Sequence, residues 1–219
     1  MDDINSEKQI SKNPWELRKE IGFLKALIET IKILLTKPQD FFQALNVTSS
    51  IKEPYLFYLT VMFFVTVTSF GINKLSSQKN FDEAGIAGII IMILWWAAGI
   101  FLYAAIMNSF VRLFKGQGDF NETFYVLAYG STAAIFSIIP QIGGWISMLG
   151  QAIIVIIGFK YRHKMTLVKA SLAALLFPAI LASLSLFITF QTHEQEKLQE
   201  EVRSFSEYLH KATEKLEQK

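Results

Sequence analysis

The sequence lacks cysteine altogether, and it is poor in charge, since only 18% of its 219 residues are Asp, Glu, Lys or Arg. Without a thiol, the chain can form neither a disulfide, nor a thiolate metal site, nor a cysteine nucleophile. Its three histidines are isolated on polar segments, which is not the spacing of a metal site. No phosphate-binding glycine loop is present either. We therefore predict no metal, no cofactor and no catalytic residue.

Charge is scarcest in the middle of the chain, where the stretch between Pro54 and Phe190 holds only 12 of the 40 charged residues. All 12 lie in short breaks between runs that are apolar on every side, as helices facing lipid are. The pattern predicts an all-α membrane protein built as a five-transmembrane-helix bundle, with an amphipathic interfacial helix before it and an amphipathic, heptad-patterned helix after it. The five predicted spans are residues 54–72, 84–111, 123–139, 142–159 and 167–190.

The distribution of Lys and Arg predicts the orientation of these spans. With the N-terminus inside, the inner segments hold fourteen Lys and Arg and the short outer loops hold two. This distribution predicts that the N-terminus lies in the cytosol and the C-terminus outside. Only Pro140 and Gln141 separate the third span from the fourth, so these two form either a hairpin of full spans or a re-entrant pair.

Residues 1–53 form the predicted cytosolic segment. Asn, Pro, Trp and Glu at positions 13–16 are typical of a helix start, and apolar residues then recur every three or four positions opposite a charged face. We predict helices over 13–36 and 38–46 that lie on the membrane surface; for the first helix the alternatives are packing against the bundle and a coiled-coil contact with a partner. The membrane-interface candidates are Trp15, Arg18, Lys25, Lys32, Phe41 and Phe42.

Residues 191–219 form a polar tail with apolar residues at alternating steps of four and three. This spacing, kept for about three heptads, indicates either a self-associating coiled coil or a single amphipathic helix. In the first case the tail would bind a second copy of the chain or another protein. The candidates for self-association are Leu198, Val202, Phe205, Leu209 and Leu216.

Deep within the predicted spans lie polar residues but no ionisable Asp, Glu, Lys, Arg or His. Ion-coupled transporters usually need such a group, so the pattern disfavours them, and it equally disfavours an enzyme acting on lipid. The neutral polar residues either hydrogen-bond between helices or line a polar cavity. The cavity candidates are Asn108, Tyr125, Tyr129, Gln141 and Gln151.

Several short motifs resemble those of a known family. A Pro-Trp helix start is followed by Lys37-Pro38-x-x-Phe41-Phe42, and later by the stretch from Gly118 and Asp119 to Tyr129 and Gly130 and by Ile139-Pro140-Gln141-Ile142-Gly143. In this order the motifs resemble the bacterial branch of the Yip (Ypt/Rab-interacting) membrane-protein family. The resemblance implies a five-span bundle with a cytosolic N-terminus, located in the inner membrane of a bacterium. Eukaryotic members bind prenylated Rab-type GTPases in vesicle traffic, but the aromatic-Gly-Pro motif associated with them is not evident in this sequence.

Together these patterns favour a non-enzymatic integral membrane protein that organises membrane or recruits partners. The expected partners are membrane lipids and, through the C-terminal helix, a protein or a second copy of the chain. Nucleic acid is not expected, because the basic residues flank the spans. The alternative is a small permease, channel or lipid translocator that uses a polar cavity at the hairpin of the third and fourth spans.

Overall fold

The computed structural model describes residues 13–46, 50–76 and 85–217, and all regular structure in these ranges is helical. Its longest elements follow the apolar runs of the sequence. The described helices, in chain order, are α1 (Arg18–Ile21), α2 (Phe23–Thr36), α3 (Pro38–Ala44), α4 (Lys52–Ser76), α5 (Gly85–Leu113), α6 (Phe120–Gly130), a 3-10 helix (Ser131–Ile138), α7 (Gly143–Arg162) and α8 (Leu167–Glu217).

The N-terminal helix begins later than predicted and is broken. Regular helix starts at Arg18, and Gly22 interrupts it with a backbone φ of 92°, a left-handed conformation that glycine adopts without steric cost. The predicted helix over 13–36 is therefore two elements, α1 and α2. Pro38 then occupies the first turn of α3, where its missing N–H costs nothing, and α3 ends at Ala44 rather than at residue 46.

Among the residues that the structure describes, four helices are long and apolar enough to cross a membrane. Within α4, α5, α7 and α8 these stretches are Lys52–Ile72, Ala87–Leu113, Gly143–Arg162 and Leu167–Glu200. They overlap the first, second, fourth and fifth predicted spans, and the last stretch extends ten residues beyond the predicted end at residue 190. An integral membrane protein made of apolar helices is thus the architecture of this chain.

The third predicted span, residues 123–139, is not one continuous α-helix. It consists of α6, with 11 residues, followed by the 3-10 helix, with 8 residues. Ser131 and Thr132 donate their hydroxyl protons to the carbonyls of Ala128 and Tyr129, three positions back, and such bonds suit the tighter 3-10 turn. The described residues thus comprise four membrane-length helices and one mixed helical segment, and the count of five spans stays a prediction.

Helix α6 forms the centre of the bundle. Its residues from Thr123 to Gly130 are all buried, and α4, α5 and α7 pack around it. Glycines on α7 allow the close approach: a Cβ on Gly158 would lie 2.5 Å from a methyl carbon of Val126, and one on Gly150 would lie 3.1 Å from the Cβ of Ala133. Small residues let helix backbones come close where lipid gives no hydrophobic driving force.

Helix α8 extends across two compact units, residues 1–175 and 176–219. In the first unit its residues Ala170, Ala173 and Ala174 are buried. In the second unit Pro178 lies inside the helix, and the exposed apolar side chains from Ile180 to Phe190 are suited to contact with lipid acyl chains.

Candidate functional site

The start of the described chain is anchored in the bundle by Trp15. Its side chain is only 1% exposed, and the indole Nε1–H donates to the carbonyl oxygen of Glu53 at 3.0 Å. The ring packs edge-on against Phe57 of α4, with centroids 5.4 Å apart, and against Phe23 of α2, with centroids 5.5 Å apart. A buried indole with its N–H satisfied is a strong packing anchor.

An ion pair reinforces this anchor. The guanidinium of Arg18 makes a bidentate pair with the carboxylate of Glu53 and lies 5.0 Å from the centroid of the Trp15 ring. Arg18 also donates to the backbone carbonyl of Trp15. Planar Arg is well suited to pairing with a carboxylate and stacking on an aromatic ring at once. The segment before α1 is thereby tied to the first turn of α4.

Tyr129 of α6 lies beneath the same segment. Its hydroxyl accepts a hydrogen bond from the Asn13 amide at 2.5 Å, and its ring packs against those of Phe41 and Phe57, each with centroids 5.0 Å away. Tyr125, one turn earlier, donates its hydroxyl proton to the carbonyl of Ser50 at 3.0 Å. Both tyrosines hydrogen-bond to the segments that precede α4, so their polar ends hold that region on the bundle.

Helix α2 presents three different faces. Its first face is buried against the bundle and comprises Ala26, Leu27, Thr30 and Leu34. The second is apolar but unburied: Leu24 is 62% exposed and Ile28 57% exposed, and both lie in register with Ile31 and Leu35. The third face carries Lys25, Glu29 and Lys32. At 3.6 residues per turn, each face covers roughly a third of the helix circumference.

Arg162, the last residue of α7, joins three helices. Its guanidinium donates from Nε and Nη2 to the two carboxylate oxygens of Glu122 on α6, at 2.7 and 2.9 Å. Its Nη1 donates to the carbonyls of Phe42 and Leu45 at the end of α3, at 3.2 and 2.9 Å. Those carbonyls have no intrahelical partner, and a cation at a helix C-terminus is favourable. Arg162 therefore caps α3 and clamps it to α6 and α7.

The fully buried side chain of His163 follows Arg162 directly. Its Nδ1 lies 2.8 Å from the carbonyl oxygen of Gln117, so Nδ1 carries the proton and donates it. Its Nε2 lies 3.2 Å from the hydroxyl of Thr123, which donates to the Oδ1 of Asn108 at 3.1 Å. Burial lowers the pKa of His163, against the opposing effects of the Gln117 hydrogen bond and the carboxylates of Glu122 and Asp119.

The six residues predicted for the membrane interface divide into two groups. Trp15, Phe41 and Phe42 are buried, so their rings pack inside the protein. Phe and Trp signal membrane interfaces and protein cores alike, and their sequence positions do not separate the two. Arg18 pairs with Glu53, whereas Lys25 and Lys32 are exposed.

The five predicted cavity residues do not come together as one set. Tyr125 and Tyr129 are neighbours, with ring centroids 6.2 Å apart, and Asn108 belongs to the His163 network. Gln141 is exposed at the turn between the 3-10 helix and α7, and Gln151 is partly exposed on α7.

Of the residues predicted for self-association of the tail, Leu198 and Val202 are exposed, while the side chains of Phe205, Leu209 and Leu216 fall outside the described ones.

The sequence patterns do not predict the ion pairs of Glu53, Glu122 and Arg162, nor the burial of His163. A signal for them was present, since each lies at the end of an apolar run, where a charge with a fixed partner can cap a helix. What the sequence did not supply was the identity of each partner, because the paired residues lie 35 to 40 positions apart.

Comparison with known proteins agrees with the fold. Neither the curated proteins nor the solved structures provide a match. The family model of the Yip1 domain matches residues 31–189, which is well over half of the chain and includes α3, the four membrane-length apolar stretches up to residue 189 and the mixed segment. The chain therefore belongs to the Yip1 domain family.

Proposed function

We propose that this chain is a non-enzymatic membrane protein that organises the bilayer, with α2 lying in the cytosolic leaflet surface. The observation that carries the proposal is the three-faced surface of α2. One face is held by the bundle, a second offers exposed apolar side chains, and a third offers lysines. A helix about 21 Å long with this pattern fits the boundary between acyl chains and headgroups.

The fixed position of α2 explains how it would act on lipid. Its buried face and the Trp15 anchor hold it to a bundle of membrane-length helices, so it cannot dissociate as a free peptide does. The exposed apolar side chains of α2 would enter one leaflet, while the spans that hold α2 cross both leaflets. The helix would therefore increase the area of that one leaflet only. The expected result is local curvature or selection of lipids that tolerate it.

Labelling at single cysteines tests the position of α2, and the natural absence of cysteine keeps the labelling specific. An environment-sensitive dye on I28C should report an apolar surrounding and be quenched by spin-labelled lipid. The same dye on K32C, one turn further along on the lysine face, should report water. Equal quenching at the two positions would contradict the interfacial placement.

Reconstitution into vesicles of phosphatidylglycerol and phosphatidylcholine tests the activity itself. Electron microscopy should show smaller or tubulated vesicles with the unaltered chain. The variant L24S/I28S should lose most of this effect, whereas the control E29Q/T36N, on the polar face of the same helix, should retain it. Vesicles whose shape does not respond to the unaltered chain would refute membrane organisation as the role.

Partner recruitment through the tail is the second part of the proposal. Helix α8 continues to Glu217, and Leu198 and Val202 are exposed on it at the heptad spacing. An exposed apolar stripe on a charged helix is typical of a coiled-coil seam. Mass photometry in mild detergent should show an oligomer that becomes a monomer when residues 192–219 are removed.

A small permease, channel or lipid translocator is the competing function. Its polar residues would have to reach water or substrate, yet the hydroxyls of Tyr125 and Tyr129 are buried and hydrogen-bonded to neighbouring segments. Flux of a dye-labelled lipid between leaflets, abolished by Y129F but unaffected by L24S/I28S, would favour this function over membrane organisation.

A further inference from the structure

Two helices of the bundle, α5 and α7, end in the same type of turn. At the end of α5, Gly116 N–H donates to the Val111 carbonyl at 2.9 Å, and Lys115 N–H donates to the Arg112 carbonyl at 2.9 Å. At the end of α7, the Met165 N–H donates to the Lys160 carbonyl at 3.0 Å. These bonds spanning five residues are those of the Schellman motif, in which one residue adopts a left-handed conformation.

In both turns the left-handed residue is a lysine. The backbone φ is 61° at Lys115 and 50° at Lys164. Glycine is the usual residue at this position because a Cβ there is sterically unfavourable. The turns would therefore form more readily with glycine, so each lysine side chain carries a steric cost at its position. Such local strain points to a function of the side chain.

The two turns are joined to each other. Gln117 N–H donates to the carbonyl of His163 at 2.8 Å, and the His163 ring donates to the carbonyl of Gln117 at 2.8 Å. Lys115 lies two residues from this double link, and Lys164 lies one residue from it. Both lysines are exposed. The link therefore holds two cationic turns side by side.

The charges of these turns are not neutralised by their neighbours. Among the described residues, neither Lys115 nor Lys164 belongs to an ion pair. The two nearby carboxylates are already engaged: Glu122 binds Arg162, and Asp119 accepts the N–H of Glu122 as the cap of α6. Exposed Arg112 and Lys169 add to the positive charge of the two turns.

The location of the two turns indicates the ligand. Each directly follows a membrane-length apolar stretch, Ala87–Leu113 or Gly143–Arg162. Leu113 is 66% exposed and Leu167 is 55% exposed, so apolar surface adjoins the lysines. A soluble acidic peptide would bind the lysines but not the apolar surface. A phospholipid would contact both, because its phosphate and acyl chains meet at this depth.

We propose that Lys115 and Lys164 together bind the phosphate of an anionic phospholipid whose acyl chains lie against the exposed apolar residues of α5 and α8. The site is separate from α2 and does not depend on the function proposed for that helix. Held by the Gln117–His163 link, the lysines form a fixed headgroup site rather than two independent surface charges.

Replacement of both lysines by glycine tests the site without endangering the fold. Because glycine suits the left-handed positions, K115G/K164G should melt at the same temperature as the unaltered chain or higher. Affinity for fluorescent phosphatidylglycerol, measured in an uncharged detergent, should fall about 25-fold, because each lysine near an anionic surface contributes roughly fivefold. The control K197Q/R203Q removes two exposed cations from the tail and should bind as the unaltered chain does.

Three results would overturn the proposal. The first is unchanged affinity of K115G/K164G for phosphatidylglycerol. The second is an equal loss of affinity for phosphatidylcholine, which would show that headgroup charge is not recognised. The third is displacement of the lipid by millimolar inorganic phosphate, which would identify a soluble phosphate compound as the ligand. A selective loss for phosphatidylglycerol, with melting unchanged, supports it.

Discussion

At the scale of single residues, His163 is the group whose chemistry is most altered by the fold. It is buried between the Gln117 carbonyl and the Thr123 hydroxyl, and burial lowers its pKa. The Thr123 hydroxyl has one proton to share between Nε2 of the neutral ring and Asn108. Nothing in the sequence around position 163 distinguishes this histidine from a solvent-exposed one, because its partners come from α5, from α6 and from the turn between them.

Stability should depend on pH through His163. Because its folded pKa lies below the unfolded value of about 6.5, the unfolded state binds more protons in this range, and stability falls as pH drops below about 6.5. The melting temperature in detergent should therefore decrease from pH 7 to pH 5.5. H163Q should melt lower at pH 7 but lose most of this pH dependence, and an equally steep decrease in H163Q would assign the effect to another group.

Gly118 is the glycine that the His163 network requires. Its φ is 119°, and an added Cβ would lie 2.6 Å from the Nδ1 of His163. G118A should lower the free energy of unfolding by about 2 kcal/mol, because strain in the backbone adds to displacement of the ring. G144A is the matched control: this helical glycine has open space around its Cβ position, so alanine should be neutral or stabilising. Similar melting temperatures for the two variants would contradict this account.

At the scale of elements, the sequence predicted the four long apolar helices well and the shorter elements less well. A run that is apolar on all sides has one interpretation at that length, so the helices at 52–72 and 143–162 lie close to the predicted spans. The break at Gly22 was missed because an isolated glycine in a helical pattern is usually tolerated. The 3-10 helix was missed because its apolar composition is compatible with either helix type.

The element most dependent on a distant residue is α3. This helix has seven residues, which is too short to be stable alone, and its last carbonyls are bound by Arg162. R162Q should destabilise the fold by about 2–3 kcal/mol, because it leaves Glu122 without its partner. This loss is somewhat smaller than for a fully buried pair, since both side chains are partly exposed. R162K should recover only part of this, because an ammonium cannot bind the carboxylate and both carbonyls in the same geometry.

The readout for Arg162 should separate local from global loss. Hydrogen exchange should rise first in residues 38–45 in R162Q, with α4 and α5 little affected. The double variant E122Q/R162Q should be less destabilised than the sum of the two single variants, since removing both charges leaves neither one unpaired. Additive losses would show that the two side chains act independently.

At the scale of the whole molecule, the number of crossings depends on the mixed segment from residue 120 to 138. At about 1.5 Å per residue for α6 and 2.0 Å for the 3-10 helix, the segment extends for roughly 33 Å, enough to cross a bilayer core. Its first half is buried in protein, and the change from α-helix to 3-10 helix at Gly130 and Ser131 occurs at buried residues, away from lipid. We therefore expect five crossings, of which four are regular helices.

Accessibility of the turn after this segment decides between a crossing and a re-entrant hairpin. Gln141 is exposed, and the charge distribution predicts that it lies on the side of the membrane opposite the turns at Lys115 and Lys164. In intact inner-membrane vesicles or cells of known orientation, Q141C should react with an impermeant maleimide from outside, whereas K115C and K164C should react only from inside. Reaction of Q141C from the cytosolic side alone would establish three full crossings. The buried residues from Thr123 to Gly130 would then belong to a re-entrant loop. Their polar groups would lie beside a cytosolic cavity rather than a neighbouring span.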